Sequence, residues 1–468
     1  MKESTHPASV WSVKGFAPFL GIAFLNAFND VGLKVLLVDA VQKALPAGPE
    51  LIRYQSFLQA LVLLPFVAFF SPSGYLSDKW AKDSVIRWSA FAGIPLAMAM
   101  LLFFHMGWWH GVVATLFVIC IQATFYSPSK YGFVKEMVGS RLIASANSAV
   151  QGVTIVAILL ASLLYSAVFE KLYVPGTLDL DQIIHQIRWA GWAILAGFVV
   201  EWILSLRIPR IGKTDSVMRF DFKRYATGRY LASNVADAWN NVVVRQSIIG
   251  LSVFFAVNQV LIANLGSYMK ETSGEENTLV INAILAAAAI GIAVGAIYAA
   301  KLSKDFIETG LVPTGAAGIS ALLFALPHMT NPVMLGMLFF GFGFFGGMFL
   351  IPLSALIQFH TRENTAGHIL ASNNLAQNLC MLLFLAVPVY LAQIGVPQRV
   401  VFIGLGFITL AGSIWAIVLL PQSMLRMSDS RESGPMPAAY SPPTIAPIET
   451  PQMASILIPC SCNAFRTH

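Results

Sequence analysis

Repeated apolar windows of about 20 residues constrain this chain more than any other feature, because each is long enough to cross the hydrocarbon core of a bilayer as a helix. Lipid offers no hydrogen bonds to the backbone, so such windows form helices that satisfy their own polar groups. The windows fall near 16–42, 54–77, 84–106, 110–130, 142–169 and 188–208, and then near 246–269, 278–301, 309–328, 332–358, 367–393 and 399–420. We therefore predict an all-α integral membrane protein with twelve transmembrane helices.

The composition supports a membrane protein and excludes several other classes. Of the 468 residues, 57% are hydrophobic and only 11% are charged, whereas soluble domains carry about a quarter charged residues. The net charge is +6, but the basic residues lie in short loops between apolar windows, where they face anionic lipid head groups. We therefore expect membrane lipids and not nucleic acid as the partner of the basic residues.

The distribution of Lys and Arg predicts the orientation of the chain. With the N-terminus inside, cytoplasmic segments hold 22 of the 29 basic residues and external segments hold 6. Cytoplasmic loops carry such an excess in membrane proteins. Both termini are therefore predicted to be cytoplasmic.

The two sets of six windows look like copies of one unit. Four pairs of residues recur in the same order, at offsets of 221 to 229 positions. The pairs are Asn29 and Asn258, Gly74 and Gly295, Pro128 and Pro352, and Asn147 and Asn374. Two six-helix halves related by an axis along the membrane normal are the major facilitator arrangement.

The chain divides into four predicted regions. These are an N-terminal half (1–208), a linker (209–245), a C-terminal half (246–421) and a tail (422–468). Apolar residues recur at helical intervals in the second part of the linker, which predicts an amphipathic helix on the cytoplasmic surface. Seven prolines and no periodicity in the tail predict disorder.

The first window contains a polar stripe formed by Asn26, Asp30 and Lys34, one helical turn apart. A charge at membrane depth costs about 2.5–3.5 kcal/mol on insertion scales and usually marks a substrate or ion pathway. We therefore expect this stripe to face an internal cavity and to bind substrate. Two further acids, Asp39 and Glu201, lie near window ends and are expected to be solvated.

A charged loop follows the second window, in the sequence Gly74-Tyr-Leu-Ser-Asp78-Lys79-Trp-Ala-Lys82. It resembles the signature loop of the major facilitator superfamily. Glycine lets helices approach closely, and the aspartate can interact with a neighbouring helix N-terminus. We expect this loop to gate the cytoplasmic side together with Lys130 and Tyr131, although it also reads as an ordinary charged loop.

Several motifs together resemble the lysophospholipid transporter family over about residues 15–420. They are Phe28-Asn29-Asp30 with Lys34, the Asp78 loop, the Ser127-Pro-Ser-Lys-Tyr-Gly132 segment and the Ala146-Asn147 pair. The resemblance implies transport of lysophosphatidylethanolamine-like lipids across the bacterial inner membrane toward the cytoplasm. It also implies delivery to cytoplasmic reacylation, with an acyltransferase and acyl-carrier-protein ligase as the partner. The residues themselves predict no cofactor, no metal and no catalysis by this chain.

Amide side chains in the other windows complete the candidate substrate site. A lysolipid head group needs a cation for its phosphate and an anion for its amine, which Lys34 and Asp30 can supply. The additional candidates are Asn29, Asn147, Gln151, Asn258, Asn374 and Gln377. Buried amides also hold helices together, so a purely structural reading of these residues stays open.

Two other functions fit the same sequence. A drug or amphiphile efflux pump would share the fold and the polar stripe. A membrane scaffold for lipid-remodelling enzymes would share the fold without transport. An enzyme is the least supported reading, because the sequence contains no nucleophile–base pair, metal-ligand cluster or phosphate-binding loop.

Overall fold

A computed structural model describes residues 9–176, 179–211, 225, 239, 241–303, 307–361 and 366–419. Within these ranges all regular structure is helical, as the hydropathy pattern predicts. The predicted tail (422–468) and most of the predicted linker helix lie outside the described residues.

The first half is built from eight helices. Helices α2 and α3 meet at Phe69, and α5 and α6 are separated by a break at Gly139, where φ is 72°. In order, the helices are α1 (Phe16–Ala44), α2 (Pro49–Ala68), α3 (Phe70–Lys79), α4 (Lys82–Met106), α5 (Trp109–Gly139), α6 (Ser145–Leu172), α7 (Leu180–Gln186) and α8 (Ala190–Ser205).

The second half has six helices within the described residues. Asparagine caps three of them: the side chains of Asn241, Asn277 and Asn331 accept hydrogen bonds from the first backbone N–H groups. The helices are α9 (Val242–Thr272), α10 (Thr278–Leu302), α11 (Leu311–Ala325), α12 (Pro332–Phe359), α13 (Ala366–Gln393) and α14 (Gln398–Leu419).

Ten helices of the described chain are long and apolar enough to cross a membrane. The pair α7 and α8 passes the same test only when joined, and it bends by 63°. The apolar stretch of α14, Gln398–Ile414, is shorter. The structure thus describes a multi-pass membrane protein, and two of the twelve predicted crossings, the sixth (188–208) and the twelfth (399–420), remain predictions.

The structure places the end of the fourth helix later than the hydropathy window predicts. The fourth window is predicted to end at residue 130, whereas α5 continues as a helix to Gly139. The segment after Lys130 is polar but remains helical because its apolar side chains, such as Phe133 and Val134, pack into the core of the first half. Lys130 is therefore inside a helix and not in the loop.

Small residues join α10 to α12 at very close range. A Cβ atom added at Gly291 or Gly295 would overlap the backbone of α12, and one added at Gly343 or Gly347 would overlap the backbone of α10. Small residues let membrane helices approach this closely. The Gly- and Ala-rich stretch of α10 therefore packs tightly against α12.

Each half has its own apolar core, and the halves meet along a polar interface. One core is formed mainly by α9–α14, and two others are formed by helices of the first half. Across the interface, α2 packs against α9 and α13, and α6 packs against α10. This interface encloses the polar residues described next.

Candidate functional site

A small cavity lies between the two halves, and we call it the central cavity. It has two adjoining lobes of about 90 and 40 Å³ that share Val31, Lys34 and Gln59 in their walls. Most other lining residues are apolar, from α1, α2, α5, α6, α9, α10 and α12. Lys34 and Gln59 are thus polar groups in the wall of a largely apolar cavity.

Lys34 links the two halves through a pair of glutamines. Its Nζ atom donates to Oε1 of Gln59 at 3.2 Å, and Nε2 of Gln259 donates to the same oxygen at 2.9 Å. Gln259 belongs to the second half, so the Lys34 ammonium group lies at the interface. A cation in this position can meet a substrate that enters between the halves.

Asp30 lines the smaller lobe of the same cavity. Its Oδ1 atom is buried and has no hydrogen-bond partner among the described residues. Lys130 contributes a positive charge that acts on Asp30 from α5. The predicted placement of Asp30 and Lys34 on one internal cavity thus agrees with the geometry.

Of the amides predicted to bind substrate, Asn258 lines the larger lobe. Asn29 instead packs against Gly197 on α8, inside the first half. Gln377 donates to Asn373 on its own helix at 3.0 Å, and Asn374 accepts through its backbone oxygen from Asn378. Neither lobe includes Asn26, Asn29, Asn147, Gln151, Asn374 or Gln377 in its lining, so their part in substrate binding remains a prediction.

Polar residues that the sequence analysis did not select close the predicted external end. Nε2 of Gln55 donates to Gln42, and Gln42 donates to the carbonyl of Gly266 in the second half, at 2.7 and 2.9 Å. Lys270 donates back to the carbonyls of Gln42 and Leu45 at 3.1 and 3.0 Å. The spacing of Gln55 and Gln59, four residues apart on α2, is the sequence signal that could have revealed this set.

A second group of contacts closes the same end between α6 and α10. The Glu170 carboxylate accepts from the backbone N–H and the hydroxyl of Thr278 at 2.6 and 2.8 Å, and it pairs with Lys43 at 3.0 Å. Asn282 donates to Asp39 at 3.1 Å. We call these contacts, together with those of Gln42 and Lys270, the external closure.

The expectation that Asp39 and Glu201 are solvated is wrong. Their exposed fractions are 2% and 1%. Asp39 lies five residues before the end of α1, but α10 of the other half covers it and supplies Asn282. Glu201 lies in the last turns of α8, where Asn29 and Asp30 of α1 and Lys130 of α5 surround it. Tertiary packing, not distance from a helix end, decides the exposure of both acids.

The predicted gating residues fall into two places. The Lys82 ammonium group pairs with Glu136 at 2.5 Å, and the side-chain carbons of Lys82 lie over Gly132. The positive charge of Lys82 also acts on the Asp78 carboxylate. Burial raises the pKa of Asp78 to about 6, and Lys82 partly opposes this shift. Gly74 is buried in α3, and Lys79 lies over the ring of Tyr75 at 5.5 Å.

Lys130 and Tyr131 are buried within α5, whereas gating residues in a loop would be exposed. Lys130 is 6% exposed, and its ammonium group lies over the rings of Tyr126 and Tyr131 at 5.7 and 5.2 Å. Such contacts stabilise a cation that has left water. Whether either motif gates the protein stays a prediction.

The fold and the cavity between two halves define a multi-pass membrane transport protein. The family model of the Major Facilitator Superfamily matches residues 19–385. A curated protein of Citrobacter koseri, called lysophospholipid transporter LplT, is 30% identical over 90% of this chain and 97% of its own length. Its Escherichia coli counterpart of the same name is 29% identical over 90% of this chain and 98% of its own length. This chain therefore belongs to the lysophospholipid transporter family of the major facilitator superfamily.

Solved structures with low sequence identity share the fold. A POT family transporter in complex with 5-aminolevulinic acid has a TM-score of 0.65 at 12% identity, covering 89% of this chain and 99% of its own. A D-xylose–proton symporter has a TM-score of 0.62 at 12% identity, covering 87% and 98%. At this identity the likeness extends to the fold alone. Among the described residues, no group of three or more His, Cys, Asp or Glu side chains could hold a metal ion.

Proposed function

We propose that this protein carries lysophospholipids, such as lysophosphatidylethanolamine, across the inner membrane of a bacterium toward the cytoplasmic leaflet. The observation that carries the proposal is that Lys34 and Asp30 both line one apolar-walled cavity between the halves. The names of the curated relatives support the substrate class. The Lys and Arg bias supports the orientation, with twelve crossings and both termini in the cytoplasm.

The cavity chemistry suits this substrate. A lysophosphatidylethanolamine head group carries a phosphate and an amine, and a charged donor or acceptor strengthens a hydrogen bond to each. Lys34 would bind the phosphate, Asp30 would bind the amine, and Asn258 and Gln259 would complete the polar wall. The apolar residues around them suit the single acyl chain, which can enter sideways between helices.

Alternating access requires that the cavity open to one side at a time. The external closure holds α1, α2 and α6 against α9 and α10. At the opposite end, Phe70 of α3 packs with Ala371 and Leu375 of α13. The proposed cycle breaks these two groups of contacts in alternation, with the Asp78 loop gating the cytoplasmic side. An acyltransferase and acyl-carrier-protein ligase would then consume the delivered lipid.

Uptake of labelled lysophosphatidylethanolamine into proteoliposomes of defined protein orientation tests the proposal. We expect Asp30→Asn and Lys34→Ala to lower uptake about tenfold or more, because a charged hydrogen bond contributes about 1.5–3 kcal/mol. Matched controls are Glu50→Gln and Arg53→Ala, which remove exposed charges of the same sign outside the cavity. Uptake in these controls should match the wild type.

The alternatives predict other results. An efflux pump would show displacement of labelled lysolipid by unrelated cationic amphiphiles and export in place of uptake. A scaffold would bind an acyltransferase while proteoliposomes containing well-folded protein took up no more lipid than empty vesicles. Either result would overturn the proposed function.

A further inference from the structure

Beside the central cavity, the first half contains a second polar cluster, and the proposed transport cycle uses only one of its members, Asp30. It is formed by Asn29 and Asp30 of α1, Tyr126 and Lys130 of α5, and Glu201 of α8. We call it the buried acid cluster. Asp30 also lines the central cavity, so it connects the two.

Several polar atoms of this cluster have no visible partner. Asn29, Tyr126 and Glu201 are each 1% exposed. The Asn29 amide group acts on the Glu201 carboxylate as a hydrogen-bond donor. Within the described residues, no hydrogen bond reaches the side-chain oxygen of Asn29, the Tyr126 hydroxyl, Oδ1 of Asp30 or Oε2 of Glu201. Each such buried atom costs about 1–3 kcal/mol. The four oxygens can all accept a hydrogen bond, and none of them has a donor among the described residues.

The charges of the cluster also do not balance. Lys130 acts on both Asp30 and Glu201, and the two carboxylates act on each other. One ammonium group therefore serves two carboxylates at a buried position. An uncompensated buried charge is costly, and such groups usually neutralise instead.

The neighbouring charged groups Lys34 and Arg87 have hydrogen-bond partners outside the cluster. Lys34, one turn beyond Asp30, donates to Gln59 and faces the central cavity. On α4, Arg87 pairs with Asp83 at 2.8 Å and donates to the backbone carbonyls of Ser205 and Ile208 at the end of α8. Tyr131 of α5 lies on Lys130, and Tyr165 of α6 packs against Gly32.

We propose that Asp30 and Glu201 together bind one proton, which exchanges with water through the central cavity. A proton on Glu201 turns its carboxylate into an O–H donor, and the neighbouring Asn29 carbonyl oxygen lacks a donor. The same proton leaves Lys130 to neutralise Asp30 alone. A sodium ion fits less well, because it would lie beside the Lys130 ammonium group.

One consequence rests on the proposed function. If a lipid amine binds Asp30, that carboxylate must be ionised, so the shared proton remains on Glu201. A second proton, added on Asp30 at low pH, would compete with the amine. Affinity for lysophosphatidylethanolamine would therefore fall as the pH is lowered.

Infrared spectroscopy of the purified, lipid-free full chain tests the proton site separately from transport. We expect a protonated carboxylic acid band at neutral pH that disappears as the pH is raised. Glu201→Gln should remove this band. Asp30→Asn should also remove the band, because Lys130 then neutralises the Glu201 carboxylate alone. The Asp30→Asn variant provides the test if Glu201→Gln does not fold. Glu170→Gln, the same substitution at a carboxylate paired with Lys43, should keep the band.

The proposal is overturned if the band persists unchanged in both cluster variants. It is also overturned if added sodium abolishes the wild-type band at constant pH, because the site would then bind a metal cation. Since no lipid is present, either outcome leaves the uptake experiment to decide the proposed function on its own.

Discussion

At the scale of single residues, Lys82 joins two motifs that are about 50 positions apart in the sequence. Its ammonium group pairs with Glu136 at 2.5 Å, and its stem passes over Gly132, where a Cβ atom would overlap it. Its charge also acts on Asp78, the half-buried acid of the signature loop. The loop between α3 and α4 is thereby tied to the end of α5.

The raised pKa of Asp78 predicts a dependence of stability on pH. Because burial raises this pKa from 3.8 to about 6, the folded protein binds the proton more tightly than the unfolded chain does. The free energy of unfolding therefore falls as the pH rises from 3.8 to about 6. Above about pH 6 the loss of stability is complete. We expect Asp78→Asn to melt at a higher temperature than the wild type at about pH 7.5, with a smaller difference at about pH 5.

Thermal unfolding in detergent, followed over this pH range, measures the effect. Glu271→Gln, at an exposed carboxylate, is the control and should shift the melting temperature little at either pH. A difference between Asp78→Asn and the wild type that stays constant with pH would show that Asp78 does not titrate in this window.

At the scale of helices, the contact between α10 and α12 depends on glycine. A Cβ atom at Gly343 would overlap the backbone oxygen of Ala288, which cannot move without displacing α10. We expect Gly343→Ala to destabilise the protein by about 1–3 kcal/mol or more, as overpacking does. Gly336→Ala on the same helix has open space around its Cβ and should be neutral, or stabilising by up to about 1 kcal/mol.

Melting temperature and the monodisperse fraction in size-exclusion chromatography compare the two variants. An equal fall in melting temperature in Gly343→Ala and Gly336→Ala would mean that alanine destabilises α12 at any position. The close approach to α10 would then not be the cause.

At the scale of the whole molecule, the two halves are held together by polar contacts at the predicted external end. Asn282 has a central position there, because it donates to Asp39 at 3.1 Å and to Ser166 at 3.2 Å, both in the other half. Since each such hydrogen bond contributes about 1 kcal/mol, their loss shifts the balance between closed and open states measurably.

We expect Asn282→Ala to increase opening toward the outside about fivefold or more. The measurement is the rate at which a membrane-impermeant maleimide labels Ser162→Cys, a cavity position, in a background without the native cysteines. Asn264→Ala is the matched control, because Asn264 donates to Val260 within its own helix. An unchanged labelling rate in Asn282→Ala would contradict the gating function of the external closure.

The sequence by itself determined the membrane class, the all-α fold, most helix positions and the cavity-facing pair Asp30 and Lys34. Hydropathy is a local property, so a window of about 20 residues shows whether a helix can lie in lipid. A charge in such a window is equally visible, because its cost has no local compensation.

The tertiary structure alone decided which polar groups meet. Gln42 and Gly266 are 224 positions apart, Asp39 and Asn282 are 243 apart, and Glu201 reaches Asp30 from another helix. A local sequence pattern cannot predict contacts between residues so far apart in the chain. Asp39 and Glu201 looked solvated because they are near helix ends, yet neighbouring helices cover them. Burial of a polar side chain depends on what packs against it, and in this protein that is settled only when the helices assemble.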